Sequence, residues 1–237
     1  MDRKTIESLF ARTKEIRALV IGDLMLDEYL WGKTDRISPE APVQVVDVMR
    51  EDLRLGGAGN VVNNLVALGC SVSVCSVIGA DDNGSLLMQT FTGMGVDNEG
   101  LFEDPDRRTG KKTRVMAAHQ QIVRIDRESK EALSPSFEER VIAWLKENAR
   151  NFNVLVVSDY LKGVLTPTVI AAIVTLGQEL TIPVVVDPKG SDYTKYSGAT
   201  ILTPNKKEAE QASGISIVDE VTLNMAAAKL LHNLNLS

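Results

Sequence analysis

Only two cysteines, Cys70 and Cys75, occur in 237 residues. One falls at a predicted helix end and the other in a predicted strand, with no His or Cys cluster beside them. They read as buried thiols of a cytoplasmic protein rather than as a metal or disulfide pair. His119 and His232 have no partners at metal-ligand spacing and read as structural or solvent-facing. A basic run is missing too: 26 Lys and Arg against 32 Asp and Glu leave a net charge of −6, so neither nucleic acid nor a membrane is an expected partner. The apolar runs, such as residues 18–21 and 183–186, are strand-length and too short to span a bilayer. Residues 1–5 lead into no signal-peptide core. Repeats, low-complexity segments and domain linkers are absent. What remains is 44% hydrophobic, enough for one substantial core with at most a small appendage.

Apolar periodicity alternates between strand and helix, which argues for an α/β fold with a mainly parallel central sheet covered on both faces. Strands are expected at 18–23, 72–78, 154–158, 184–187 and 200–202. Helices are expected at 59–68, 84–94, 136–148, 167–180, 206–213 and 221–234. Two stretches break the rhythm. Residues 43–48, and 112–117 with 121–125, alternate like strands but are followed by no crossover helix. They read as a separate small sheet, with ordinary edge hairpins as the alternative.

The densest signal is Leu55-Gly56-Gly57-Ala58-Gly59-Asn60, after which Val61, Val62, Leu65, Val66 and Leu68 recur at helical spacing. Glycines let backbone amides approach a ligand closely, and a helix N-terminus favours polar or anionic groups. A dinucleotide fingerprint needs a third glycine at fixed spacing after a buried strand. No such glycine is present, and residues 49–55 are charged. A purely structural turn is the plainer alternative.

Together with Gly69 and Gly79, this segment resembles the first signature of the ribokinase-type (PfkB) carbohydrate kinases, departing from it only in Val62, where a small residue is usual. Further motifs narrow the likeness. Gly22-Asp23-Leu24-Met25-Leu26-Asp27, Arg36-Ile37-Ser38-Pro39-Glu40-Ala41-Pro42-Val43, Ser158-Asp159-Tyr160-Leu161-Lys162-Gly163, Asp187-Pro188-Lys189-Gly190 and Thr203-Pro204-Asn205 are similar to those of the D-glycero-D-manno-heptose 7-phosphate kinases. The resemblance runs from about residue 16 onward. It implies a ribokinase-like three-layer fold with a small β lid, its strands near 28–50 and 110–126. It also implies ATP and Mg2+ as cofactors, a sugar phosphate substrate, a homodimer through the lid strands, and a place in lipopolysaccharide core synthesis.

On that resemblance the substrate-binding candidates are Asp23, Asp27, Gly57, Asn60, Asp159, Lys162 and Arg114, with Lys111 and Lys112 as further candidates for the substrate's phosphate. Carboxylates and amides suit sugar hydroxyls because they bond in fixed directions. Asp23 as a turn or cap acid, and 158–163 as a solvated loop, are the plainer alternatives. Asp159 and Lys162 are expected to project into one cleft. The nucleotide-side candidates are Asn205, Lys206, Lys207, Glu208 and Lys189, with Glu208 reaching the metal through water. Asn205 and Glu208 alone would be fully explained as a helix capping box.

The family's glycine-alanine-glycine-aspartate turn, which supplies the catalytic base, does not occur in these 237 residues. The expectation is a C-terminally truncated domain with the catalytic aspartate beyond Ser237. Such a chain would bind sugar phosphate with little turnover of its own. Another PfkB-type sugar kinase, or a non-catalytic binding fragment, are the alternatives.

Overall fold

The computed structural model describes residues 2–117 and 120–236. His119 lies outside them, and the expectation for it stays with the sequence. Eleven residues the periodicity missed open the chain as helix α1 (Arg3–Thr13), capped by the Asp2 side chain. The central sheet then runs in the order β10-β9-β8-β1-β4-β5, parallel throughout. Its strands are β1 (Arg17–Gly22), β4 (Ser71–Gly79), β5 (Asp97–Asp104), β8 (Val154–Ser158), β9 (Val184–Asp187) and β10 (Ile201–Leu202).

Helices α2 (Ala58–Ala67) and α3 (Asp82–Gly93) cover one face, burying Val62, Leu87 and Phe91 against Val20 and Val74. Helices α4 (Pro135–Asn148) and α5 (Pro167–Leu180) cover the other, with Leu145, Ile170 and Ile173 against Leu19 and Leu155. The same cluster extends to α6 (Lys206–Ser213) and α7 (Glu220–Leu234) through Ala209, Ala226 and Leu230. Both faces of β1 are therefore buried, which is why residues 18–22 form an unbroken apolar run. The chain lays strands to one side of β1 and then returns to the other side with β8. The reversal leaves a crevice at the carboxyl ends of β1 and β8, where ligands of such sheets gather.

The second sheet has the order β3-β2-β6-β7, from β2 (Leu24–Ile37), β3 (Gln44–Gly57), β6 (Gly110–Ala117) and β7 (Gln120–Arg127). Strands β2 and β3 form a long antiparallel hairpin, β6 lies parallel to β2, and β7 returns antiparallel. The separate small sheet expected from the pattern is thus present and larger than expected. The charged stretch 49–55 is an exposed strand rather than a buried one. Val123 stands opposite Val115 across the β6–β7 pair.

Candidate functional site

Two cavities open along the crevice. The larger, about 700 Å³, lies between the second sheet and the start of α2, and is lined by Asp27, Tyr29, Arg54, Gly56, Gly57, Asn60, Asn63, Lys112, Arg114 and Tyr160, among others. Strand pairing explains the assembly. Asp27 is in register with Arg54 on one side and Lys112 on the other, and Tyr29 with Arg114. Residues in register share a face, so alternation places Asp27, Tyr29, Lys112 and Arg114 together. Lys111, one residue out of phase, pairs instead with Glu28 at 2.6 Å on the opposite face. Asn60 and Asn63, three apart in α2, add amides from one helix face.

Arg114 donates to the Asp27 carboxylate, and this bond holds the guanidinium firmly protonated against the opposing effect of burial. Both Arg54 and Arg114 lie over the Tyr29 ring, 5.5 and 5.2 Å from its centre. One wall therefore presents three cations beside a carboxylate. The floor is the glycine turn. A Cβ on Gly56 would stand 2.5 Å from Asp27 Oδ2, and Gly57 has φ of +56° with its missing Cβ facing the Asp23 carbonyl at 2.4 Å. Gly57 is the N-cap of α2 and offers no side chain to cap it, so the positive end of the helix dipole stands beside the cavity.

The smaller cavity, about 180 Å³, is lined by Asp159, Tyr160, Asp187, Pro188, Lys189, Thr203, Asn205 and Glu208. Asn205 and Glu208 form the expected capping box: the Asn205 side chain accepts from Glu208 N, and Glu208 Oε2 accepts from Asn205 N at 3.0 Å. Glu208 Oε1 accepts from Lys189 Nζ at 2.6 Å. Burial pushes the Glu208 carboxyl up, and the Lys189 and Asn205 bonds more than offset it, leaving the group below its usual range. Asp187 moves the other way: burial first, then the charges of Glu208 and Asp159, raise it. Among the described residues no three metal-ligating side chains converge. The oxygen donors present suit a hard cation that keeps its water and arrives with phosphates, not one caged by protein.

Several candidates stand elsewhere than expected. Asp23 is buried, 1% exposed, and its carboxylate is taken up by backbone amides of the loop after β8. Asp159 and Lys162 do not share a cleft. Asp159 accepts from Lys195 Nζ at 2.6 Å and Tyr196 Oη at 2.7 Å on the smaller cavity's side. Lys162 turns toward Glu128 at the end of the second sheet, at 2.6 Å. Lys206 and Lys207 are exposed on the first turn of α6 and line neither cavity. Arg54, Tyr29 and Asn63 escaped the sequence reading, although alternation from Gly56 and Asp27 and the i,i+3 step from Asn60 pointed to them.

The Asp159–Lys195 pair carries a direct expectation. The Asp159 side chain is 1% exposed, so Lys195→Met leaves a buried carboxylate without its counter-charge. Breaking a buried pair from one side costs about 3 kcal/mol or more, which lowers the melting temperature by about 10 °C in a chain of this size. A thermal melt measures it. A fall of only one or two degrees would mean that solvent reaches Asp159.

The pfkB family carbohydrate kinase profile matches residues 16–235. The "Bifunctional protein HldE" of Geotalea uraniireducens is 70% identical over 236 residues, covering 100% of this chain and 48% of that protein. The chain thus spans about half the length of the curated relatives it matches. Among solved structures, phosphofructokinase-2 from Escherichia coli in complex with potassium superposes with a TM-score of 0.72 at 17% identity, covering 93% of this chain and 70% of that one. Arabidopsis thaliana ribokinase complexed with ribose and ATP gives a TM-score of 0.67 at 17% identity, covering 92% and 69%. At such identities these two establish the fold, a ribokinase-like one. The match of the family profile over nearly the whole chain goes further: this protein belongs to the pfkB family of carbohydrate kinases.

Proposed function

We propose that the chain carries the sugar-phosphate site and part of the nucleotide site of an ATP-dependent kinase for D-glycero-D-manno-heptose 7-phosphate. The reaction phosphorylates the anomeric hydroxyl to give the 1,7-bisphosphate, in lipopolysaccharide core synthesis in the cytoplasm. The observation that carries this reading is the larger cavity's pairing of hydroxyl-binding groups, Asp27, Asn60 and Asn63, with three cations, Arg54, Lys112 and Arg114. A neutral sugar needs only the former, whereas a sugar that already bears a phosphate needs both. ATP phosphates fit the smaller cavity, beside Lys189 and the start of α6.

Asp187 and Glu208 would face magnesium through its bound water, and the ion would neutralise charge on the phosphates. In the transfer itself, the hydroxyl oxygen attacks the γ-phosphorus, ADP leaves, and the hydroxyl proton passes to a base. The chain lacks the family's aspartate turn, so its own turnover is expected to be slow. Phosphorylation assays on the full-length gene product with a panel of sugars test the assignment. Activity confined to ribose or fructose 6-phosphate would overturn it.

The second sheet serves in this reading as the lid. Its two edge strands, β3 and β7, are exposed, and Leu30, Val115 and Val123 form an in-register apolar row on the face away from Tyr29. Open edges pair readily with another chain, which supports a homodimer through the lids. Val45→Asp is expected to loosen both the dimer and sugar binding while the central sheet stays folded. Light scattering on the full-length protein at micromolar concentration tests this, and a strict monomer would refute the dimer.

A further inference from the structure

The loop after β8 is built around an internal anion. Asp23 Oδ2 accepts from Tyr160 N at 2.8 Å and Lys162 N at 3.0 Å, and Oδ1 accepts from Val164 N at 3.2 Å. Alternate amides turn inward because Leu161 and Gly163 adopt φ of +54° and +90°. Successive amides in such a conformation form a concave anion site, here filled by the protein's own carboxylate. The Asp23 backbone is equally engaged: its N–H donates to Ser158 O, and its carbonyl accepts from Ala58 N, the first amide of α2. One residue therefore ties the end of β8, the loop beyond it and the glycine turn.

That loop carries Tyr160, the residue shared by the linings of both cavities. The charges around its hydroxyl come from both sides. After burial, Asp187, Asp27 and Glu208 act to keep the phenol protonated against the opposing charge of Lys189, Asp27 from the larger cavity and the others from the smaller. The ring is a common wall between the groups that would hold the sugar and those that would hold the phosphates.

We propose that Asp23 is a positioning residue, whose buried carboxylate fixes the 160–164 loop so that Tyr160 sets the separation between the sugar and nucleotide sites. The proposal rests on the functional reading above for its two ligands. It differs from the expectation that Asp23 contacts sugar, because here the carboxylate acts through the loop and touches neither ligand. A group that contacts only sugar would affect one ligand. A group that sets a common wall affects both.

The test uses the 237-residue chain labelled with 3-fluorotyrosine, the four tyrosine signals being assigned by single Tyr→Phe variants. In the unmodified chain, heptose 7-phosphate and Mg-ADP should each shift the Tyr160 fluorine signal. Asp23→Asn is expected to broaden or split that signal without ligand, leave those of Tyr29 and Tyr193 in place, and weaken both ligands about tenfold. Asp27→Asn should weaken only the sugar phosphate, and Glu208→Gln only the nucleotide. If Asp23→Asn does not fold, Gly163→Ala decides the matter. Its new Cβ would meet the Glu131 carbonyl at 1.9 Å, so it displaces the loop while Asp23 is intact, and it must give the same paired loss. An unmoved Tyr160 signal, or loss of sugar affinity alone, overturns the proposal. Failure of the unmodified chain to bind heptose 7-phosphate would sink the substrate assignment instead, and the ligand-free Tyr160 signal would still decide the role of Asp23.

Discussion

Arg114→Ala is expected to weaken binding of heptose 7-phosphate by about 100-fold, the worth of a charge-assisted bond of nearly 3 kcal/mol. Two losses add. Arg114 offers five N–H donors and directs one nitrogen at Asp27, so others remain for the substrate's phosphate. Its removal also strands Asp27, whose carboxylate then repels the incoming anion. Arg114→Lys should recover part of the affinity, because an ammonium restores charge but not the planar fork that lies over Tyr29. Titration calorimetry with the sugar phosphate and the unphosphorylated sugar separates the two roles. The unphosphorylated sugar should be far less sensitive to the substitution. Equal loss for both sugars would mean that Arg114 acts by shaping the cavity and not by binding phosphate.

Gly57→Ala should be strongly damaging for a change of one methyl group. The residue combines φ of +56° with ψ of −135°, a region that side chains other than glycine's rarely enter. The added Cβ would stand 2.4 Å from the Asp23 carbonyl oxygen and 2.9 Å from Met25 Cε. The methionine can move; the carbonyl cannot, because it accepts from the first amide of α2. Strain and collision together should cost about 3 kcal/mol or more, about 10 °C in melting temperature, along with sugar binding. Gly93→Ala is the matched control, since nothing lies within 4 Å of its Cβ position at the end of α3. It should be neutral or stabilise by about 0.5 kcal/mol. A Gly57→Ala protein as stable as the unmodified chain would refute the close approach on which the cavity floor depends.

Legibility in the sequence followed burial. Helix α5 matched its expected residues because Thr166 caps it, proline opens it, and six of its positions are buried. Helix α1 was missed because none of its residues is buried, so no apolar stripe had to be kept. Strand β5 was missed for a related reason: as an edge strand it carries Asp97, Glu99, Glu103 and Asp104 and buries only Gly100 fully. In the site, Asp27, Gly57, Asn60 and Arg114 do converge, since each lies on an element whose phase the sequence displays. Asp23, Asp159 and Lys162 were legible as strand-end residues, but their partners were not. Lys195 and Tyr196 lie 36 and 37 residues beyond Asp159, and Glu128 lies 34 before Lys162. No local pattern encodes such pairings; they follow from the order in which the strands are laid down.

The measurement that bears most directly on the account is calorimetric titration of this chain with heptose 7-phosphate, the unphosphorylated heptose and fructose 6-phosphate. Heptose 7-phosphate is expected to bind tightest, the unphosphorylated sugar to lose about tenfold or more, and Asp27→Asn to weaken all of the binding that remains. Indifference to the phosphate, or full affinity in the Asp27→Asn chain, would contradict it.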